Sequence, residues 1–430
     1  MTAKRPMWTP PYGLREALVA VAALLTTGFL LQVAAGPFDY YLLTFPGSAL
    51  ACLLLMAIGA GLGLAAHRGR ATAQWLAGAP MAVALTAGFM LLAILMGSVP
   101  QLALDATPGT GVTDRLGLSA MTSSWPMVFC YSATCACLAG AVTRRLTRLN
   151  IRRDATFLTA HLGFLVLLLG AGVGSADLSR YIMYVPMNET EWRVYAGAEK
   201  MVELPVAISL HAFTLEEFPP KLLLIDGEGQ PLPHDKPVTW QIDPRNPDGR
   251  LGDWDLHVDE FIPRAVYQGN DSFRPMEIPG AAPAVKVTAT PRGGGEPRTG
   301  WISGGNMDNF LYALQLEDSL SMAVTPADPK RFASDVTVLV RGTEPVRTTI
   351  EVNHPLRVGS WIIYQYGYDA VNGRYAHYSS FELVADPWLP VVYLGLALLA
   401  LSACLLIWNG RGRRPAAASQ RAPENGREAA

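Results

Sequence analysis

Residues 159–174, "TAHLGFLVLLLGAGVG", form an apolar run with one ionisable side chain, His161, set into it. A charged side chain in a bilayer costs about 2.5–3.5 kcal/mol on insertion scales. An imidazole at such a place therefore asks for a chemical reading. In its neutral form it keeps a lone pair on one ring nitrogen, which suits ligation of a metal centre. Two structural roles compete: a hydrogen bond to a carbonyl on a neighbouring helix, or a ring that snorkels to the interface. The stretch by itself leaves these open.

Other chemistry is sparse. Cys52, Cys130, Cys135, Cys137 and Cys404 all fall in apolar stretches and form no CxxC, which argues against a redox pair or a zinc site. They read as small membrane hydrophobes. No CxxCH occurs, so the chain is not itself a c-type cytochrome. His211, His234, His257, His354 and His377 are dispersed without ligand spacing. There is no GxSxG, no HExxH, no Gly-rich phosphate loop and no paired-carboxylate signature. A hydrolase or metalloenzyme is disfavoured.

The elements that must position His161 follow from composition. Half of the 430 residues are hydrophobic and only 16% are charged, which points to a membrane protein. A formal net charge of −2 gives no sign of nucleic acid as a partner. Six stretches of about 20 apolar residues read as membrane helices: about 14–35, 48–66, 77–98, 125–143, 156–175 and 388–408. Lys4 and Arg5 precede the first and "VAAG" follows it, as in a signal peptide, but its apolar stretch is long for one and cleavage is not expected.

Lys and Arg in the short loops set the orientation. Lys4, Arg5 and Arg15 precede span one; His67, Arg68 and Arg70 follow span two; Arg411, Arg413 and Arg414 follow span six. "RRLTRLNIRRD" places Arg144, Arg145, Arg148, Arg152 and Arg153 between spans four and five. The alternate loops hold no Lys or Arg at 36–47 and only Arg115 at 99–124. Both termini are expected in the cytoplasm and residues 177–386 outside, in a bacterial cytoplasmic (inner) membrane. The domains follow: a helix pair over 1–76, helices three to five over 77–176, an external domain over 177–386, helix six over 387–409, and a disordered cytoplasmic tail over 410–430.

The external segment changes character. "LPVAISLHAF", "KLLLID", "PVTWQI", "WDLHVDEF", "APAVKVTAT", "SDVTVLVRG", "RTTIEVN" and "SWIIYQYGYD" read as strands, with "DGEG" at 226–229 and "NG" at 372–373 as hairpin turns. Only "NMDNFLYALQL" hints at helical periodicity. The fold class is a polytopic α-helical membrane protein with one all-β sandwich or open barrel between spans five and six.

Several stretches together resemble the ResB-like family, the CcsB component of System II cytochrome c biogenesis. "MGSVPQ" (96–101) is similar to the Gly-x-x-Pro-Gln turn that ends a family helix, and "SSWPMVF" (123–129) to the opening of the next. "AHLGFLVLLLGAGV" (160–173) resembles the His-Leu-Gly helix before the outside domain, and "AISLHAFTLEEFPPKLLL" that domain's first strands. "FASDVTVL" (332–339), "VNHPLRVGSWIIYQYGYD" (352–369) and "DPWLPVVYLGLALLA" (386–400) resemble its final strands and last span. Spans one and two lie outside the usual four-span pattern. The Trp-rich segment of the partner subunit, CcsA, is missing.

The resemblance implies that His161 is an axial ligand to the iron of a transiently held haem b, with a partner histidine on the opposite face. It implies a haem-handling subunit of a cytochrome c synthase, working with a CcsA-type protein and with apocytochrome c carrying CxxCH. The bond-forming site is implied to lie in the partner, so this chain need not be an enzyme. A membrane-anchored β-domain scaffold or sensor, with a structural His161, is the rival. Gly163, Gly170, Gly172 and Gly174 are expected to serve helix packing, with room for a flat macrocycle as a further idea. His67 is expected at the interface, Trp125, Trp301, Trp361 and Trp388 in belts or cores, and His354 is a candidate for docking haem or apocytochrome.

Overall fold

The computed structural model describes residues 6–102, 109–196, 200–305 and 311–410. Lys4, Arg5, Arg411, Arg413, Arg414 and the tail expected to be disordered lie outside them, apart from its first residue, Gly410, which ends the last helix. The chain divides into two compact units, one of residues 1–179 with 386–430 and one of residues 180–385.

The first unit is helical. Six helices are long and apolar enough to cross a membrane: Leu14–Ala35, Gly47–His67, Ala79–Ser98, Trp125–Leu146, Arg153–Asp177 and Leu389–Trp408. They are called spans 1 to 6, and each begins and ends within a few residues of its expected limits. Span 4 runs one turn further than expected and so carries Arg144 and Arg145 on its last turn. Span 5 is α-helical from Ile151 to Leu168, then widens to a π turn over Leu169–Val173 and tightens to a 3₁₀ turn over Gly174–Asp177. The local cause is the "GAGVG" tract, whose glycines favour no particular helical winding. A short helix, Ala71–Leu76, forms an elbow between spans 2 and 3.

Close approach of backbones joins span 2 to span 4. A Cβ on Gly59 would run into Ala139, and one on Gly63 would lie 2.6–2.7 Å from Thr143 and the Gly140 carbonyl. Small residues at this spacing are the usual means of packing membrane helices. Spans 1, 3 and 4 share one buried cluster, including Ala17, Val21, Leu85, Leu92 and Cys130. Spans 4 and 5 share another, with Cys135, Ala139, Leu165 and Leu169.

At one end of this bundle Asp177 gathers three elements. Its carboxylate accepts from Ser48 Oγ at 2.6 Å, Phe45 N at 2.6 Å and Trp388 Nε1 at 2.7 Å. That clasps the starts of spans 2 and 6 to the end of span 5. Tyr40, in the loop between spans 1 and 2, donates to the Gly172 carbonyl at 2.7 Å, and burial raises its hydroxyl pKa. Gln101 ends the "MGSVPQ" stretch by donating to the carbonyls of Met96, Val99 and Leu118 while accepting from Met121 N. One amide thus pins the whole turn.

The second unit is all β, as expected, but it has two cores rather than one. The first sandwich faces a sheet of Ser179–Pro186, Tyr378–Ala385, Trp361–Tyr368 and Leu356–Val358 against a sheet of Val346–Glu351, Pro329–Val340, Lys200–Glu217 and Thr190–Ala196. Its core holds Ile208, Leu210, Val336, Val338, Trp361, Ile363 and Phe381. The second is built from residues 221–324, inserted between Lys200–Glu217 and Pro329–Val340. Its core holds Leu222, Leu251, Trp254, Val285, Val287, Ile302 and Met322. The single sandwich expected from the strand pattern is corrected accordingly: alternation marks which face is buried, not which strands share a core.

All eight expected strands form. "DGEG" turns the hairpin that pairs Leu224 with Leu232. "NG" at 372–373 lies in a longer connection with its own 3₁₀ turn, Gly373–Tyr375. Of "NMDNFLYALQL", residues 306–310 lie outside the described residues, and Leu314–Glu317 is a strand paired to Leu320–Val324. The helical hint there is overturned. The apolar residues Leu314 and Leu316 alternate, and both face the second core.

Candidate functional site

A cleft of about 730 Å³ opens in the helical unit, within the range of ligand sites. It lies at the end of the bundle opposite the Asp177 clasp, where spans 2 and 4 finish and spans 3 and 5 begin. Ala82, Val83, Leu85, Leu138, Ala141 and Phe164 give it apolar walls. Arg144, Arg145, Arg148 and Arg153 line it too, with His67 from the end of span 2. His161 is in the wall.

Helical spacing explains the face that span 5 presents. Arg153, Phe157, His161 and Phe164 follow one another at steps of four, four and three residues, so they stack along one side of the helix. The opposite side is glycine-bearing and meets span 6. A Cβ on Gly163 would lie 2.8 Å from Leu398 Cβ and one on Gly170 within 3.2 Å of the Val392 backbone. Gly172 and Gly174 abut the rings of Tyr131 and Trp388. Packing is thus the role these four glycines play. None of them lines the cleft, so the idea that they make room for a macrocycle is not supported.

His161 is held in a defined way. Its ring stacks on Phe157 with centroids 3.8 Å apart and planes 20° from parallel. Its Nδ1 lies 2.9 Å from the Phe157 carbonyl oxygen. A carbonyl only accepts, so Nδ1 carries the proton and donates. In the neutral ring the tautomer is thereby fixed, and Nε2 keeps its lone pair. Among the described residues nothing hydrogen-bonds Nε2. The bond that a structural reading would send to a neighbouring helix goes instead to the ring's own helix, and it occupies the nitrogen that a ligand role does not need.

Charge around the cleft is uneven. The Asp154 side chain is fully buried and takes two of the arginines, with Arg145 Nε and Arg153 Nε each 3.0 Å from its Oδ1. Arg145 also lies over the Phe157 ring, 5.0 Å from its centroid. Arg144 and Arg148, four residues apart, form no ion pair among the described residues. His67 is exposed, and its Nδ1 lies 3.0 Å from Thr147 Oγ1. What the sequence reading missed is that it shares the cleft with His161. The arginines read there only as topology signals, although the common phase of Arg153, Phe157 and His161 was available to find them.

Elsewhere, no cluster of three or more His, Cys, Asp or Glu suited to a metal occurs among the described residues. The cysteines are free, with Cys130, Cys135 and Cys137 buried in the bundle. Trp125 and Trp388 stand at the starts of spans 4 and 6, and Trp361 is in the first β core. Trp301 packs with Phe273 in a small satellite cluster. His354 is exposed on a turn, 3.3 Å from Glu351.

Residues 303–376 match the model of the ResB-like family, so the chain carries a ResB-like segment over about a sixth of its length. That segment runs from the last residue of strand Arg298–Ser303 through strand Trp361–Tyr368, and so takes in parts of both sandwiches. "FASDVTVL" and "VNHPLRVGSWIIYQYGYD" fall inside it; the stretches quoted from the spans fall outside. No curated protein matches the chain.

Proposed function

We propose that this chain is the haem-handling membrane subunit of a cytochrome c synthase, and that His161 is an axial ligand to the haem iron. The ResB-like match supports involvement in cytochrome c biogenesis. The observation that carries the finer reading is the geometry of His161: Nδ1 is tied to the Phe157 carbonyl, which in the neutral ring leaves the Nε2 lone pair free, in a cleft with apolar walls and an arginine-lined end.

The cleft fits the group. Haem is a flat apolar disc with two carboxylates on one edge, and it needs a neutral imidazole, apolar walls and positive charge in one place. Phe157 and its carbonyl hold the ring in one orientation, Phe164 and the alanines offer apolar walls to the disc, and the arginine end receives the anionic edge. Haem bound there would have a second axial position, filled by a histidine of a CcsA-type partner. By the distribution of Lys and Arg, this end of the bundle is the cytoplasmic one. Haem would enter there and pass to the outer face of a bacterial inner membrane, where the CxxCH thiols of apocytochrome c add to it. This chain's share is to bind, orient and release, with bond formation in the partner.

The chain purified from membranes in detergent, under haem-replete conditions, is expected to carry a Soret band. Wild-type protein that stays free of haem, alone and with the partner, would refute the reading.

A further inference from the structure

We infer that Arg144 and Arg148 are the carboxylate-binding residues of the cleft, and that they select a planar ligand with two anionic groups on one edge. This rests on the proposed function and names which residues of the same site read the cargo's anionic edge.

Among the described residues four arginines line the mouth, but they are not equivalent. Asp154 is buried between Arg145 and Arg153 and holds both at 3.0 Å. Those two therefore share one counter-charge, and Arg145 is further fixed over the Phe157 ring. Arg144 and Arg148 have no carboxylate partner among the described residues, yet both line the cleft. They stand four residues apart, Arg144 on the last turn of span 4 and Arg148 just beyond its end, where its backbone N donates to the Arg145 carbonyl at 3.1 Å. Each guanidinium offers a planar fork of donors that matches a carboxylate. Two forks at one mouth suit two carboxylates on a single rigid edge better than one compact anion.

The remaining walls narrow the ligand class. Away from the arginines the lining is mostly apolar, with Ala82, Val83, Leu85, Leu138 and Phe164, and the hydroxyls of Thr86 and Thr134 donate to their own helices' carbonyls. A ligand that satisfies both ends is an apolar macrocycle with a dianionic edge. His67 stands at the same mouth, with its Nδ1 engaged by Thr147.

Iron-free protoporphyrin IX separates this inference from the ligand claim, because it has the carboxylates but cannot be ligated by His161. The full chain in detergent is titrated with protoporphyrin IX and with its dimethyl ester, and porphyrin fluorescence reports binding. Wild type should bind the diacid and bind the diester at least tenfold more weakly, about the loss expected for one charge-assisted hydrogen bond. The double variant Arg144→Gln/Arg148→Gln should bind both equally weakly, while Arg144→Lys/Arg148→Lys recovers part of the difference. Thermal melting shows that each variant is folded. Equal affinity of wild type for diacid and diester, or an unchanged diacid affinity in the folded double Gln variant, would overturn the inference and leave the haem reading standing. A double Gln variant that keeps porphyrin but no longer co-purifies with anionic lipid would assign the arginines to lipid headgroups, and would overturn it also. Wild type that binds no porphyrin and no haem would remove the haem reading itself, and this inference with it.

Discussion

The imidazole of His161 lies on the ring of Phe157, 3.8 Å between centroids, and donates a hydrogen bond to that residue's own carbonyl oxygen at 2.9 Å. One residue, a helical turn away, thus sets both the plane of the ring and its tautomer. The two contacts come apart under mutation, because the carbonyl belongs to the backbone. Phe157→Leu should keep the tautomer and lose the stack, worth about 0.5–1.5 kcal/mol beyond buried area. Haem affinity should fall roughly two- to tenfold with the position of the Soret band unchanged. A shifted band would mean that the stack, not the carbonyl, aligns Nε2.

Span 2 is expected to matter to the cleft although it lies outside the four-span pattern of the family resemblance. Gly59 and Gly63 let it touch span 4, and its far end delivers Ala66 and His67 to the cleft. Gly63→Val would force the two backbones apart at a cost of about 1–3 kcal/mol. Haem content should drop with His161 intact, and the melting midpoint should fall. Unchanged haem content in a destabilised variant would show that span 2 only braces the bundle.

The Trp361–Tyr368 and Tyr378–Ala385 hairpin carries an acid-sensitive connection. Asp369 accepts from Asn372 Nδ2 at 2.7 Å and from His377 N at 3.2 Å, and the Asn372 contact, with the His377 backbone adding to it, holds its pKa below the usual carboxylate range. Its contribution is fully present above the unfolded value, about 3.9, and is lost as pH falls through the lower folded value. Between pH 5 and 3 the melting midpoint of wild type should therefore fall more steeply than that of Asp369→Asn. Parallel acid limbs would show that this carboxylate contributes nothing to the fold.

Reporter fusions test the orientation. Asn270 lies in a tight turn with φ of 53°, between strands Trp254–Gly269 and Ser272–Pro275, and Asn150 precedes span 5. Fusions there should report external and internal positions respectively, as the arginine distribution requires. The reverse pattern would put the cleft on the wrong side for haem arriving from the cytoplasm.

The spans were legible in the sequence because a bilayer needs about 20 apolar residues, and each run here supplies them with charges at its ends. The strands were legible from alternation, as in Val285 and Val287 of "APAVKVTAT". The two cores were not, since the second sandwich is inserted between Lys200–Glu217 and Pro329–Val340, and pairing over more than a hundred residues leaves no local trace. His161 stood out because one imidazole interrupts an apolar run. Its cleft did not, because Ala66, Ala82, Leu138 and Phe164 come from four different helices and meet only when folded. Arg144 and Arg148 carried two messages in one pair of charges, and only the topological one could be read from the chain.

The absorption spectrum of His161→Ala tests the central claim most directly. The substitution removes the imidazole and leaves space of about its size, while the Asp154 ion pairs and the span 5–span 6 contact remain. Haem co-purifying with the variant should fall several-fold, the residual Soret band should shift to that of a high-spin or singly ligated iron, and cytochrome c maturation should fail. Millimolar imidazole should restore part of the haem and return the band toward its wild-type position, whereas His161→Phe should respond to none. Folded His161→Ala protein with wild-type haem content and an unshifted band would contradict the account.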